Sequence, residues 1–268
     1  MKRQFRGAAV AATPFLMGSV AHAQWGGYTA PRNATVNAAG ARVVEVEAAA
    51  GSLRVEGKQG LSQVQVTGTA RASSQGLLNE IRLIAERQGD RVFIKADIPE
   101  HNGWNDGNYE AGLDLVIQVP QGMNADISDG SGDTKIYNVG ELEATDGSGE
   151  LLVDGAQSVH ITDGSGSLTI ENVRGDVRVS DGSGEIDVRN VTGSFIVESD
   201  GSGGINATDV QGSVIVRSDG SGGIDVNKVG KDFRVDSKGS GDIDYAAVSG
   251  AVDIPERHRD RRYRDRNQ

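Results

Sequence analysis

Asp181-Gly182-Ser183-Gly184-Glu185-Ile186-Asp187-Val188-Arg189-Asn190-Val191-Thr192-Gly193-Ser194-Phe195-Ile196-Val197-Glu198-Ser199 is the stretch that decides the fold. It holds two short alternating runs, Ile186/Val188 and Phe195/Val197, each entered through a glycine-containing turn. Alternation with a period of two marks a strand with one buried face. Glycine reaches positive φ without steric cost. Asp and Ser side chains can accept N–H bonds from their own turn. The stretch therefore reads as turn, strand, turn, strand.

The same unit recurs along the chain. Asp-Gly-Ser-Gly begins at Asp129, Asp146, Asp163, Asp181, Asp200 and Asp219, and Lys-Gly-Ser-Gly begins at Lys238; the steps are 17, 17, 18, 19, 19 and 19 residues. The first apolar pair returns as Ile205/Ala207, Ile224/Val226 and Ile243/Tyr245, and the second as Val177/Val179, Val214/Val216 and Phe233/Val235. Between them stand Val173, Val191, Val210, Val229 and Val248, followed by Gly175, Gly193, Gly212 and Gly250 in four of these units. A two-strand unit repeating at this length means a solenoid. One coil cannot bury its own apolar face, whereas coils stacked about 4.8 Å apart close the hydrogen-bond ladder and form a continuous core. The expected fold is all-β: a β-solenoid (β-helix-like) of short 17–19-residue two-strand coils with an irregular N-terminal β region. Ile186, Val188, Val191, Ile205, Val210, Ile224, Val226 and Val229 are expected to face inward.

Outside the repeat the pattern loosens. Val44/Val46, Gly51-Ser52, Leu53/Val55 and Val64/Val66 are a weaker copy of the coil, so the solenoid is expected to begin here. An excursion follows, with a short helix over 74–80, a hairpin turning at Gln88-Gly89-Asp90, and a strand through Leu113, Leu115, Ile117 and Val119 that Pro120 ends. The organisation reads as a signal peptide over 1–23, a linker over 24–41, an N-terminal β region and first coil over 42–122, the Gly-Ser-Gly repeats over 123–254, and a basic disordered tail over 255–268.

The first residues are an address. Lys2, Arg3 and Arg6 precede an uncharged run from Gly7 to Val20, and Ala21-His22-Ala23 is a small-x-small cleavage site. The mature chain is expected to start at Gln24 and to reside in the periplasm or be secreted from a bacterium. No later run reaches the length of a transmembrane helix. Cysteine is absent, which excludes disulfides, thiolate metal sites and a Cys nucleophile. The net charge of −11 argues against nucleic acid as partner. It is unevenly divided, for residues 255–268 hold six Arg against three acids, so the body is more acidic than the whole. That tail suggests electrostatic docking to an anionic surface.

The leader, the Ala50-Gly51-Ser52-Leu53-Arg54-Val55 start and the repeated Gly-Ser-Gly-x-Ile-x-Val units resemble a large bacterial envelope family of β-strand repeats, of unknown function, whose domain carries the label of a candidate adhesin. The resemblance spans roughly residues 42–254. It implies an all-β solenoid-like body at the cell envelope and supplies no catalytic residues.

Several groups were weighed as sites. The one irregular polar stretch places His101, Trp104, Asp106 and Tyr109 together, and exposed Trp and Tyr can stack on a sugar or anchor a partner; a hairpin tip is the plainer reading. His160 shares an outward position with Glu143, Arg178 and Arg234, and Asp187, Asp225 and Asp244 share another with Asn206; both read as solvated faces. Ile196 and Ile215 make an outward apolar pair. The turn carboxylates are expected to stack along one edge, each held by N–H groups of its own turn. Asp181, Asp200 and Asp219 are the candidates there for bridging divalent cations, although a tight site wants six or more oxygens. No catalytic residue, resident metal or cofactor is expected. The expected function is a non-enzymatic exported envelope protein, a scaffold or adhesin-like binding surface for an envelope component or surface glycan. The alternative is a β-helix carbohydrate-active enzyme acting on envelope or extracellular polysaccharide, for which only 99–112 is long enough to supply a site.

Overall fold

The computed structural model describes residues 27–99 and 109–255. The leader, the tail from 256 onward, and His101, Trp104 and Asp106 lie outside the described residues.

Each repeat contributes one strand to each of two parallel sheets that face one another across an aliphatic core. Thr134–Tyr137, Gly149–Asp154, Gly166–Val173, Gly184–Val191, Ile205–Val210, Ile224–Val229 and Ile243–Val248 follow in order in the first sheet. Asn124–Asp129, Glu141–Asp146, Ser158–Asp163, Val177–Asp181, Phe195–Ser202, Val214–Val216 and Phe233–Val235 follow in the second. Every neighbouring pair is parallel and in register, so identical positions of successive repeats stack: Ile186 on Ile205, Ile205 on Ile224 and Ile224 on Ile243. The eight residues expected to face inward are all buried, none more than 1% exposed. The lengthening of the repeat is absorbed without loss of this register. One added residue forms a bulge after Val179, beyond which Ser180 pairs with Ser199.

The weak copy near the start is a true first coil. Val43–Glu47 pairs in parallel with Asn124–Asp129, and Leu53–Lys58 with Thr134–Tyr137. The excursion between them closes the N-terminal end of the stack. Gln63–Ala72 pairs antiparallel with Ala111–Pro120, and the hairpin Arg82–Gln88/Arg91–Asp97 extends the second sheet. Gly89 at φ 63° makes its turn. The helix is Gln75–Glu80, capped by the Ser74 hydroxyl, which accepts from the Leu77 N–H at 3.2 Å.

The expected linker over 24–41 contains a strand. Tyr28–Asn37 pairs antiparallel with Gln63–Ala72 and forms the outermost edge of the first sheet. Its alternation is hidden because Arg32 takes an inward-alternating position and donates to the Ile81 and Leu78 carbonyl oxygens at 2.9 and 2.8 Å. Pro31 suits an edge, where a missing N–H breaks no ladder.

The second turn of each coil carries a feature with little sequence signal. Asn138, Asn172, Asn190, Asp209, Lys228 and Ala247 all have φ between 52° and 59°. Asn and Asp tolerate this left-handed region better than other residues with a Cβ. The amide of Asn190 donates to Asn172 at 2.6 Å, and that of Asn172 to Asp154 at 2.6 Å, so part of the column is bonded coil to coil.

Candidate functional site

Two columns on the second sheet hold most of the unusual chemistry, one inside and one outside. The inner one consists of the repeated aspartates. Asp129, Asp146, Asp163, Asp181, Asp200 and Asp219 stack in unbroken register, with Lys238 next in line. None is more than 5% exposed. The column is buried inside the sheet rather than standing along an exposed edge, while N–H groups of each turn, Gly147 at Asp146 and Gly182 and Ser183 at Asp181 among them, act on the carboxyls as expected. Three of these N–H groups also serve the preceding coil: Gly147 donates to the Asp129 carbonyl oxygen at 3.0 Å, Gly164 to that of Asp146 at 2.9 Å and Gly182 to that of Asp163 at 3.0 Å. No well-aligned donor reaches either carboxyl oxygen of Asp146, Asp181, Asp200 or Asp219, or one oxygen of Asp129 and of Asp163, and the turn N–H groups beside them, such as Gly182 and Ser183 at Asp181, offset only part of the cost of burial.

The ends of the column are closed differently. At one end the Thr134 hydroxyl donates to Asp129 at 2.9 Å. At the other, Lys238 Nζ lies 2.5 Å from Asp219 Oδ2, with both side chains fully buried.

Burial sets the charge state between these ends. It pushes the Asp146 and Asp181 carboxyls up to about 7, with the charges of Asp129 and Asp163, and of Asp163 and Asp200, adding to the effect. Asp200 is raised to about 6 by burial and by Asp219, against the pull of Lys238. Asp129 and Asp163 are raised by burial too. A carboxylate there has only a few turn N–H groups to accept from, whereas a protonated carboxyl becomes a donor. Neutral Asp146 and Asp181 can then donate to an ionised Asp163 between them, which is the direction in which these neighbours act on it. The arrangement is a line rather than a cage. Among the described residues no three carboxylates or imidazoles converge as metal ligands.

The sequence held a signal for this burial. Asp129, Asp146, Asp163 and Asp181 each lie two residues after an inward residue, Ile127, Ala144, Ile161 and Val179. The period of two thus runs through the aspartate. A buried aspartate is so rare that the turn reading displaced the pattern reading.

The outer column runs the length of the same sheet. Phe93, Glu45, Asp126, Glu143, His160, Arg178, Ile196, Ile215, Arg234 and Asp253 stand rung on rung. The stacking of Glu143, His160 and Arg178, and of Ile196 on Ile215, is as the spacing predicted, but the apolar pair is not exposed as expected: Ile196 is buried and Ile215 half-buried. Arg91 bridges Glu45 and Asp126 at 3.0 Å each. A shallow, open concavity of about 510 Å³ lies over Asp126, Glu143, His160 and Arg178. Beside it Ser128, Thr145, Thr162, Ser180 and Ser199 form a stripe of hydroxyls. Of the polar stretch near residue 100, Tyr109 is described, and its hydroxyl donates to the Pro99 carbonyl oxygen.

No family model matches the chain, and no curated protein matches it in sequence. Its fold is similar to those of several solved bacterial proteins. A candidate cell adhesion protein from Clostridium sporogenes shares 10% identity, over 85% of this chain and 98% of that one, with a TM-score of 0.33. A candidate lipid binding protein from Parabacteroides distasonis shares 15% over 85% and 97%, with a TM-score of 0.38. A candidate adhesin from the same species shares 13% over 85% and 98%, with a TM-score of 0.35. At these identities no ligand or residue role is carried over from them.

Proposed function

We propose that the chain is a non-enzymatic envelope protein, exported to the periplasm or beyond it, whose outer column binds an extended envelope polymer, with a glycan as the class that fits best. The observation carrying this reading is the unbroken outward column from Phe93 to Asp253, set on a sheet made rigid by its in-register core. Its chemistry is graded along the rod: a half-buried aromatic, three acids, His160 and Arg178, then two isoleucines. A single small ligand has no use for a ladder of that length, while a polymer lying along it meets a new side chain at each rung. The hydroxyl stripe alongside offers donors and acceptors without net charge, and Phe93 offers an apolar ring face. The leader supports export, and the absence of cysteine suits an oxidising compartment.

The test is co-sedimentation of the mature chain with isolated envelope polysaccharide, against a His160→Ala/Arg178→Glu variant. Binding should weaken by about tenfold or more, equivalent to about 1.4 kcal/mol. Equal binding by the variant removes the surface from consideration. Release of new reducing ends from the polysaccharide would favour the carbohydrate-active enzyme instead.

A further inference from the structure

We propose that Lys238 and Asp219 condense to an intramolecular amide, a Lys–Asp isopeptide bond that staples the final coil to the one before it. Lys238 stands where six earlier coils carry aspartate, and it points into the same dry column. Its Nζ donates to the Gly222 and Ser240 carbonyl oxygens at 2.7 and 2.5 Å. It also lies 2.5 Å from Asp219 Oδ2, with both side chains fully buried. Two N–H bonds are therefore satisfied by backbone, and the remaining direction of the nitrogen meets a carboxyl group. A neutral amine held by two carbonyls in this way keeps its lone pair for that third direction.

Separated charges are costly in an aliphatic interior, and passing one proton from Nζ to Asp219 removes both. The amine lone pair then attacks Asp219 Cγ and forms the C–N bond. Asp200 is the next rung, and its carboxyl is within hydrogen-bonding influence of Asp219. Burial raises its carboxyl above the usual carboxylate range. It can give its proton to the departing Asp219 oxygen and take one from the nitrogen. The C–O bond breaks and one water leaves; an amine and a carboxylic acid become an amide plus water, with no change of oxidation state. Fixed approach replaces the activation that such a condensation needs in solution. The product removes a buried ion pair from the last of the described coils, in a chain with no cysteine for a disulfide.

The mass of the intact mature protein decides the matter without any variant. It should fall one water short of the sequence mass. Trypsin acting on the denatured protein should fail to cut after Lys238 and should yield a branched peptide joining Ser218–Lys228 to the peptide that begins at Val235. Asp200→Ala, checked for folding by circular dichroism, should retain the full mass and the cut at Lys238. A wild-type protein at full mass overturns the proposal. So does a water loss with Lys238 still cleaved, since that locates the dehydration at an Asp-Gly succinimide.

Discussion

Asp181 stands directly over Asp163 in the parallel ladder, Cα opposite Cα, with both carboxyls shut away from solvent inside the second sheet. Two such groups cannot both ionise cheaply, and the same conflict recurs on both sides of the pair. The column accordingly keeps protons that an unfolded chain would release near pH 4.

The first expectation is a stability that falls as pH rises. A carboxyl with a raised pKa in the folded state binds more protons folded than unfolded, so the slope of stability against pH is negative between the two values. The contribution is complete below about 4 and is lost as pH rises through about 6 for Asp200 and about 7 for Asp146 and Asp181. The thermal midpoint, measured at constant ionic strength from pH 5 to pH 8, should drop by several degrees. A midpoint that climbs over this range would mean the column is ionised and stabilised by partners other than those described.

Asp181→Asn isolates the charge from the shape. The amide is isosteric, cannot ionise, and can donate to Asp163 as the protonated acid does. The variant should be more stable than the parent by about 1–3 kcal/mol at pH 8, and close to it at pH 5. Urea denaturation at the two pH values measures this. A loss at both would show that the ionised carboxylate itself is what the fold requires.

How far these features are legible in the sequence depends on whether a residue obeys its type. The coils, their turns and the first coil at Val43–Lys58 follow from aliphatic residues at a period of two, anchored by glycines at a near-constant step. Tyr28–Asn37 is not legible, because Pro31, Arg32 and Asn33 break the apolar alternation, although Arg32 is fixed by the Leu78 and Ile81 carbonyl groups. The aspartate column was seen as a column but placed outside, since burial of Asp is decided by tertiary register rather than by local preference. Its raised pKa values follow from that burial, so they were hidden with it. The outer column was legible only rung by rung. Its continuation to Phe93 depends on the hairpin docking in parallel beside Val43–Glu47, which no local pattern announces.

The isoleucine pair gives the proposed binding face a testable apolar component. Ile196 is 8% exposed and Ile215 half-buried, between Arg178 and Arg234 in the ladder. Ionic contacts of exposed groups are screened by salt, with a Debye length of about 3 Å at 1 M, whereas apolar contacts survive it. The parent should keep part of its polymer binding in 1 M salt, and Ile215→Thr, at the more exposed of the two, should lose that residue of binding while remaining folded. Equal salt-resistant binding by both proteins would remove Ile215 from the contact surface.

The last expectation sets two adjacent glycines against each other. Gly203 has φ 146°, and a Cβ there would be driven into the carbonyl oxygen of Gly184 in the coil below. Gly203→Ala therefore meets two costs at once, a backbone conformation that a residue with a Cβ rarely adopts and a contact that the spacing of the coils cannot widen without breaking ladder bonds on both sheets. Gly204 has no atom within 4 Å of the same substituent, and its φ is not positive. Gly204→Ala should leave the fold intact and stabilise it by about 0.4–1 kcal/mol, because the unfolded chain loses freedom. Gly203→Ala should destabilise by about 3 kcal/mol or more, in the range of changes that combine strain with a steric clash. Denaturant midpoints of the two variants, measured against the parent, test the coil geometry directly. If the two alanines behaved alike, the tight stacking of the Gly-Ser-Gly turns would be wrong, and with it the register that buries the aspartates.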